Sequence, residues 1–367
     1  MRIGILGGGQ LGRMLALAGY PLGLSFRFLD PSPEACAGQV GELVVGGFLE
    51  EEALARFAEG LDLVTYEFEN VPVEAAHLLA KRLPVLPPPK ALEVAQDRLL
   101  EKTFMQSLGV PTPPFRGVEG LQDLREGLEA LGFPALLKVR RGGYDGKGQA
   151  LVRTWEEAEK AFHALGGKGL VLEGYIPFDR EVSILGVRSR TGALAFYPLV
   201  ENRHQGGILR LSLAPAPQIP PTLQEKAEGY ARKAMEALGY VGVVALEFFQ
   251  VGEELLFNEM APRVHNSGHW TIEGAETSQF ENHLRALLGL PLGSTAPRGR
   301  SAMVNLIGVK PNVAQVLALS GAHLHWYGKE VRPGRKVGHI TLRRDTWEGL
   351  AQDLSHLLAL AQAAEPV

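Results

Sequence analysis

Val241-Gly242-Val243-Val244-Ala245-Leu246-Glu247-Phe248-Phe249 and, past a short polar turn, Leu255-Leu256-Phe257-Asn258-Glu259-Met260 read as the two arms of an antiparallel hairpin. A turn centred on Glu253 puts Glu247 and Glu259 equally far from it and so opposite each other. Opposed residues on antiparallel strands share a face, and two like charges there repel. A hard divalent cation between them converts that repulsion into ligation, and carboxylate oxygens suit Mg²⁺. The alternative is a solvated pair at a sheet edge. Against it, both glutamates lie inside strongly apolar runs, where an unpaired carboxylate is costly.

Working outward, the N-terminal part alternates strand and helix. Arg2–Leu6 is a short apolar strand, Gly7 to Gly12 a glycine turn, and 13–18 helical; Ser25–Asp30 and 61–66 are further strands. That rhythm predicts a parallel sheet with crossover helices. Four prolines between Pro84 and Pro89 mark a boundary. Beyond it the pattern predicts a helix over 91–108, a strand over 132–139, a helix over 155–165, and strands over 169–173, 181–187 and 194–200. A polar loop over 201–210 and a helix over 224–238 lead into the carboxylate hairpin. A helix over 279–288 has good stop chemistry in Gly289 and Pro291. The remainder reads as short strands and a closing helix over 347–363, a small lobe. The expected division is 1–90, 91–290 and 291–367.

At 367 residues, two or three domains are expected. An apolar content of 46% with 21% charged residues is that of a globular protein. The net charge of −4 offers no basic footprint, so nucleic acid is not an expected partner. Cys36 stands alone, which excludes an intramolecular disulfide and fits a reducing compartment. Glycines and Arg13 interrupt the apolar N-terminus before a signal-peptide pattern completes, and no apolar run reaches membrane-spanning length. The reading is a cytoplasmic protein with no membrane partner.

Two glycine loops carry possible chemistry. Gly7-x-Gly9-x-x-Gly12, with Asp30 downstream, matches the dinucleotide fingerprint. Its physics is less specific: a tight turn, close backbone approach and a helix N-terminus facing an anion. A nicotinamide cofactor, another ligand, or turn geometry alone all remain open. Arg140-Arg141-Gly142-Gly143-Tyr144-Asp145-Gly146-Lys147-Gly148-Gln149 is more telling. It joins a strand ending in Lys138-Val139 to one starting at Gln149. Its glycines let backbone N–H groups reach phosphate oxygens. A bare hairpin tip would not need the positive charge of Lys138, Arg140, Arg141 and Lys147. The spacing is not that of a Walker A loop. His265 and His269 have helical spacing, but Asn266 stands where a zinc-protease motif needs Glu. No Gly-x-Ser-x-Gly elbow or catalytic cysteine is present, which leaves phosphoryl chemistry by positioning and metal.

The lysine before a glycine-rich hairpin, the Leu172-Glu173-Gly174-Tyr175 hinge and the Glu…Asn-Glu pair together resemble the ATP-grasp fold. Within it, Arg140 to Gln149, His204 to Arg210, Asn258 to Trp270 and Trp326 to His339 closely resemble the N5-carboxyaminoimidazole ribonucleotide synthetases of purine biosynthesis. Gly7 to Met14 and Tyr66 to Val71 fit the same family, so the resemblance spans essentially the whole chain. It implies an α/β and α+β architecture: a Rossmann-like N-terminal domain, a central ATP-grasp domain and a small C-terminal lobe. It implies ATP and Mg²⁺ as cofactors, bicarbonate and 5-aminoimidazole ribonucleotide as substrates, and a homodimer. ATP would phosphorylate bicarbonate, and carboxyphosphate, or CO₂ from it, would carboxylate the exocyclic amine.

On that resemblance Glu247, Asn258 and Glu259 would hold the metal. Arg98, Lys138 and the loop Gly143, Tyr144, Asp145, Gly146, Lys147, Gly148 and Gln149 would cover the phosphates. Glu173, Gly174, Tyr175 and Ile176 would face adenine, Glu181 the ribose, and His204 would be a further ATP contact. Arg263 and Lys138 would be catalytic. Tyr144, Asp145, His265 and Asn266 would lie near the aminoimidazole, with Lys329, Arg335 and Lys336 on its 5′-phosphate. Gln10, Leu11 and Glu67 are weaker substrate candidates. Competing readings are a formate-dependent glycinamide ribonucleotide transformylase or biotin carboxylase on the same fold, an NAD-dependent oxidoreductase, and a non-catalytic ATP-binding scaffold.

Overall fold

The computed structural model describes residues 1–362. Its first sheet is parallel, in the order β3-β2-β1-β4, from β1 (Arg2–Leu6), β2 (Ser25–Asp30), β3 (Glu42–Val45) and β4 (Leu63–Tyr66). Both faces are covered, as a parallel sheet requires. Ile3, Ile5, Phe26 and Phe28 pack with Met14 and Leu15 of α1 (Gln10–Gly19). Leu6, Leu29 and Val64 pack with Leu54 and Phe57 of α2 (Glu51–Ala58) and Leu79 of α3 (Val73–Ala80). The proline-rich segment lies against β4: Leu86 N–H donates to Val64 O and Val64 N–H to Pro84 O.

The helix expected over 91–108 is two helices, α4 (Pro89–Ala95) and α5 (Arg98–Ser107). Asp97 makes the break. Its carboxylate accepts from the N–H groups of Leu99 and Leu100 and so starts a new helix. It also pairs with Arg140 at 2.7 Å, tying α5 to the base of the glycine loop.

A small antiparallel sheet follows, order β5-β8-β6-β7, from β5 (Phe115–Val118), β6 (Ala135–Val139), β7 (Gln149–Val152) and β8 (Leu170–Gly174). Helices α6 (Leu121–Leu131) and α7 (Trp155–Ala164) bury Leu124, Leu128 and Phe162 against Leu137 and Leu172.

Among the described residues the remaining strands form one large sheet. They are β9 (Arg180–Arg188), β10 (Leu194–Phe196), β11 (Val200–Gln205), β12 (Ile208–Ala214), β13 (Gly242–Val251), β14 (Glu254–Ala261), β15 (Arg300–Ile307), β16 (Ala322–Trp326) and β17 (Lys336–Arg344). The order is β14-β13-β9-β11-β12-β15-β17-β16, with β10 paired to β9. The helices in this part are α8 (Pro221–Leu238), α9 (Thr271–Gly274), α10 (Gln279–Leu287), α11 (Val313–Ala318) and α12 (Trp347–Gln362). Position 363 of the expected closing helix lies outside the described residues.

Two expectations need correction. The strand over 194–200 is divided between β10 and β11, and the polar loop over 201–210 is the hairpin of β11 and β12. Gly206 and Gly207 have φ of 59° and 78°, so they form the two-residue turn whose twist suits a hairpin. The strands of the expected C-terminal lobe extend the large sheet. β15 pairs with β12 and continues the central sheet. The division at 1–90, 91–290 and 291–367 stands as a proposal.

The N-terminal sheet and the large sheet share one core. Ile3, Phe26 and Met14 belong to the same buried cluster as Leu185, Val243, Phe280 and Leu284. Through it runs His283. Its Nδ1 accepts from Val243 N–H at 3.0 Å, so the neutral ring carries its proton on Nε2, 3.0 Å from Thr65 Oγ1. Burial pushes this imidazole from 6.5 down to about 3. Between these values the unfolded chain takes up a proton that the folded protein refuses, so stability falls as pH falls. For one fully buried group the effect is on the order of 5 kcal/mol. A His283→Gln variant does not titrate there. Its stability gap to the wild type, measured by denaturant unfolding, is expected to shrink steadily from pH 7 to pH 4.

Candidate active site

Glu247 and Glu259 do face each other, but the turn is not centred on Glu253. Val251 pairs with Glu254, which carried along the ladder sets Phe248 opposite Phe257. A bulge follows, and Asn258 is the extra residue that brings Glu259 opposite Glu247. Burial, and after it the charge of Glu259, pushes the Glu247 carboxyl well above the usual carboxylate range. His265 Nε2 is 3.6 Å from Glu247 Oε1. Ser267 N–H donates to His265 Nδ1, which leaves the ring proton on Nε2, toward Glu247. Burial and the Arg263 charge hold this imidazole well below its ordinary value.

These groups line a cleft of about 440 Å³ between the two antiparallel sheets and the N-terminal domain. At one end Lys138 projects from β6 and Arg98 from α5. Arg98 donates to Val139 O at 3.0 Å and Gly143 O at 2.8 Å, so its guanidinium braces the glycine loop. Gly143, Tyr144, Asp145, Gly146, Lys147 and Gln149 also line the cleft. The loop closes on itself through Lys147 N–H to Tyr144 O, and the Lys147 ammonium lies 5.0 Å from the Tyr144 ring centroid. Its tip rests on the β11–β12 turn: a Cβ on Gly207 would fall 2.5 Å from Gly146 Cα. Glu181 and His204 meet at 2.8 Å on the same wall.

At the other end Lys336 Nζ reaches Asp145 Oδ1 at 3.4 Å, joining the C-terminal segment to the glycine loop. Asn266 and Asn305 exchange side-chain hydrogen bonds of 3.1 and 2.7 Å. Arg263 is ion-paired with Glu69, and the pairing outweighs burial in holding that carboxyl below its usual range. Gln10 and Leu11, at the start of α1, complete this end. Lys329 Nζ donates to Gln10 Oε1 at 3.1 Å. Burial and then Arg335 lower the Lys329 pKa.

Three family models match in tandem: a ribonucleotide synthetase preATP-grasp domain over residues 1–96, an ATP-grasp domain over 103–280, and a phosphoribosylaminoimidazole carboxylase C-terminal domain over 301–353. The N5-carboxyaminoimidazole ribonucleotide synthase of Pseudomonas aeruginosa is 52% identical over 99% of this chain and 100% of that protein. The chain belongs to the N5-carboxyaminoimidazole ribonucleotide synthase family. The crystal structure of the synthetase from Thermus thermophilus superimposes with a TM-score of 0.96 at 76% identity, covering 100% of both chains. The synthase from Aspergillus clavatus, in complex with ADP and 5-aminoimidazole ribonucleotide, gives 0.91 at 32% identity over 98% of each chain.

Several residues that the synthase resemblance named lie outside the cleft lining. Glu67 points into the N-terminal glycine loop, where its Oε1 accepts from Gly9 N–H at 3.0 Å. Burial raises its pKa to about 6. The carboxylate two residues on, Glu69, faces the cleft instead. Glu173 turns inward, with its oxygens 2.8 Å from Lys102 Nζ and 2.6 Å from Lys138 Nζ. Gly174 and Tyr175 N–H groups donate to the carbonyls of Pro114 and Pro134. Gly148, Ile176, Lys329 and Arg335 are also behind or beside the lining. Sequence reasoning missed Glu69, Glu101, Lys102, Asn305 and Tyr327, and the aromatic wall of Phe178 stacked on Phe249 at 4.8 Å. β4 ends at Tyr66, and the bend that follows turns Glu69 away from Glu67, whereas a strand's period of two would have put both on one face.

The N-terminal fingerprint is occupied by the protein itself. Gly8 N–H donates to Asp30 Oδ2 at 2.9 Å and Gly9 N–H to Glu67. A Cβ on Gly7, whose φ is +97°, would fall 2.6 Å from Glu67 Oε1. Asp30, which a dinucleotide site would turn to a ribose, is spent on the turn. Calorimetry with NAD and NADP is expected to show no binding at millimolar ligand; a micromolar isotherm for either would reverse this reading.

Proposed function

We propose that this chain couples ATP cleavage to carboxylation of the exocyclic amine of 5-aminoimidazole ribonucleotide, with bicarbonate as the carbon source. One observation carries the reading. In a member of the synthase family, a single cleft runs from the Lys138 and glycine-loop end, past the Glu247–Glu259 pair, to His265, Asn266 and Lys336.

Glu247, Glu259 and Asn258 offer only oxygen donors. Two carboxylates at one site, one of them forced toward its protonated form, are what a divalent cation relieves. The all-oxygen set suits Mg²⁺, which keeps waters and phosphate oxygens in its shell and needs few protein ligands. Bound there, Mg²⁺ would neutralise charge on the transferring phosphoryl group. Lys138 and the glycine-loop N–H groups would hold the phosphates, the Phe178–Phe249 stack one face of adenine, and Glu181 with His204 the ribose side.

The terminal phosphoryl group passes from ATP to a bicarbonate oxygen and ADP leaves. The amine nitrogen of the ribonucleotide then bonds to the carbonyl carbon, either displacing phosphate with the mixed-anhydride oxygen or attacking CO₂ after that phosphate has left, and phosphate takes up the proton that the amine gives up. Arg263, fixed by Glu69, is oriented to bind these oxyanions in the fork geometry a guanidinium provides. Tyr144, Asp145, His265 and Asn266 surround the position of the aminoimidazole, and Lys329, Arg335 and Lys336 hold its 5′-phosphate near Gln10 and Leu11. Carboxyphosphate hydrolyses in water, so the glycine loop, seated on the β11–β12 turn, serves to exclude it. The homodimer rests on the family resemblance, and the cytoplasmic setting on the sequence reading, in which Cys36 stands alone.

ADP release should require both bicarbonate and 5-aminoimidazole ribonucleotide for full rate; release driven by formate and glycinamide ribonucleotide would point to the transformylase instead. Glu247→Gln and Glu259→Gln are expected to fold normally and lose most turnover, about 3–4 kcal/mol of transition-state stabilisation. Near-normal rates at low Mg²⁺ would remove the metal assignment. Lys138→Ala should weaken ATP binding. Arg335→Ala should leave ATP affinity unchanged and raise the apparent KM for the ribonucleotide about ten- to a hundredfold, the scale of a charge-assisted phosphate contact. Loss of ATP affinity in Arg335→Ala would place that loop elsewhere.

A further inference from the structure

The bulge that brings Glu259 opposite Glu247 takes residue 258 out of the ladder, and its backbone needs partners from elsewhere. Helix α5 supplies them. Lys102, only 1% exposed, donates from Nζ to Asn258 O at 2.8 Å. Its neighbour Glu101, also buried, accepts from Met260 N–H. The two side chains grip the strand on either side of Glu259. The same Lys102 Nζ is ion-paired with Glu173 Oε1 at 2.8 Å, and the other Glu173 oxygen with Lys138 at 2.6 Å.

We propose that Lys102 is a positioning residue that couples the two halves of the nucleotide site: it fixes the bulge carrying the metal carboxylates and it keeps Lys138 available to phosphate. The proposal rests on the ATP and Mg²⁺ reading given above. The charge argument is direct. Two ammonium groups share one carboxylate, so the buried triad carries a net positive charge, and Lys138 is its member facing the cleft. Without Lys102, Glu173 would neutralise Lys138 entirely. The geometric argument is independent of it: the Asn258 carbonyl would lose its partner, and the register of Glu259 would lose a constraint. No contact of Lys102 reaches the ribonucleotide end of the cleft.

The test is ADP binding by calorimetry to the full chain, first in EDTA and then in Mg²⁺, alongside the KM for 5-aminoimidazole ribonucleotide. Lys102→Met is expected to lower the metal-free affinity about tenfold, the scale of one charge-assisted contact. It should also reduce the gain that Mg²⁺ brings, and leave the ribonucleotide KM within about twofold. Wild-type ADP affinity and Mg²⁺ gain in this variant would overturn the proposal, even if its Tm falls, because the lysine would then be structural only. Lys102→Gln provides the second reading if the methionine variant does not fold. It keeps an N–H donor without charge, so it should lose the metal-free affinity and retain the larger part of the Mg²⁺ gain. Loss of neither overturns the proposal as well. A wild-type protein whose ADP affinity ignores Mg²⁺ would instead overturn the metal reading and the bulge half of this proposal, leaving the EDTA titration to decide the Lys138 half.

Discussion

Two glutamates facing each other in an apolar hairpin are a standing electrostatic cost, and much of the cleft is organised around it. The protein does not relieve the cost with a basic side chain between them. His265 approaches Glu247, yet burial and Arg263 keep that ring neutral. Arg263 is committed to Glu69. The strands instead hold the carboxylates in place by force of register: β13 is pinned along its whole length by β9, and β14 is gripped by α5. Repulsion held in a rigid frame is a preorganised site for positive charge, because little reorganisation is needed when the charge arrives.

Around that pair the charge is sorted along the cleft. Lys138, Arg98 and Lys147 gather at the glycine loop, and Lys336, Lys329 and Arg335 at the far side, so an anion is welcome at either end and a cation in the middle. The walls come from different parts of the chain. The N-terminal domain gives Gln10 and Glu69, the small sheet gives Lys138, the large sheet gives the carboxylates, and the C-terminal segment gives Lys336. Shared core between Phe26, Val243 and Leu284 keeps these contributors in one frame.

Much of this was legible in the sequence because it obeys local rules. The N-terminal strands show as apolar runs punctuated by glycine and proline. The hairpin shows as two β-rich arms, and the glycine loop as four glycines among basic residues. What was not legible depends on partners distant in sequence. Asp97 ends one helix and begins another, a role visible only as capping chemistry within an otherwise helical pattern. The bulge at Asn258 corrected a turn that was placed half a residue off, so the opposition of Glu247 and Glu259 was right for an incomplete reason. Glu173 looked like a hinge residue, but two lysines, Lys138 on β6 and Lys102 on α5, draw its side chain inward and hold its pKa at about 2 against burial. Gly206-Gly207 is a hairpin signal that the polarity of its flanking residues concealed: Arg203, His204 and Gln205 are exposed beside the turn.

The continuity of the large sheet has a consequence for how the chain is made. β12 receives its second neighbour only when β15 arrives, and β15 only then finds β17. Until synthesis has passed Ile307, a nascent chain with β9 to β14 already assembled carries β12 as an open edge, a row of unpaired N–H and C=O groups that invites other strands. The ribosome thus releases the β13–β14 hairpin well before the sheet that holds it is complete. The C-terminal segment, besides contributing Lys336, covers the β12 edge against intermolecular pairing.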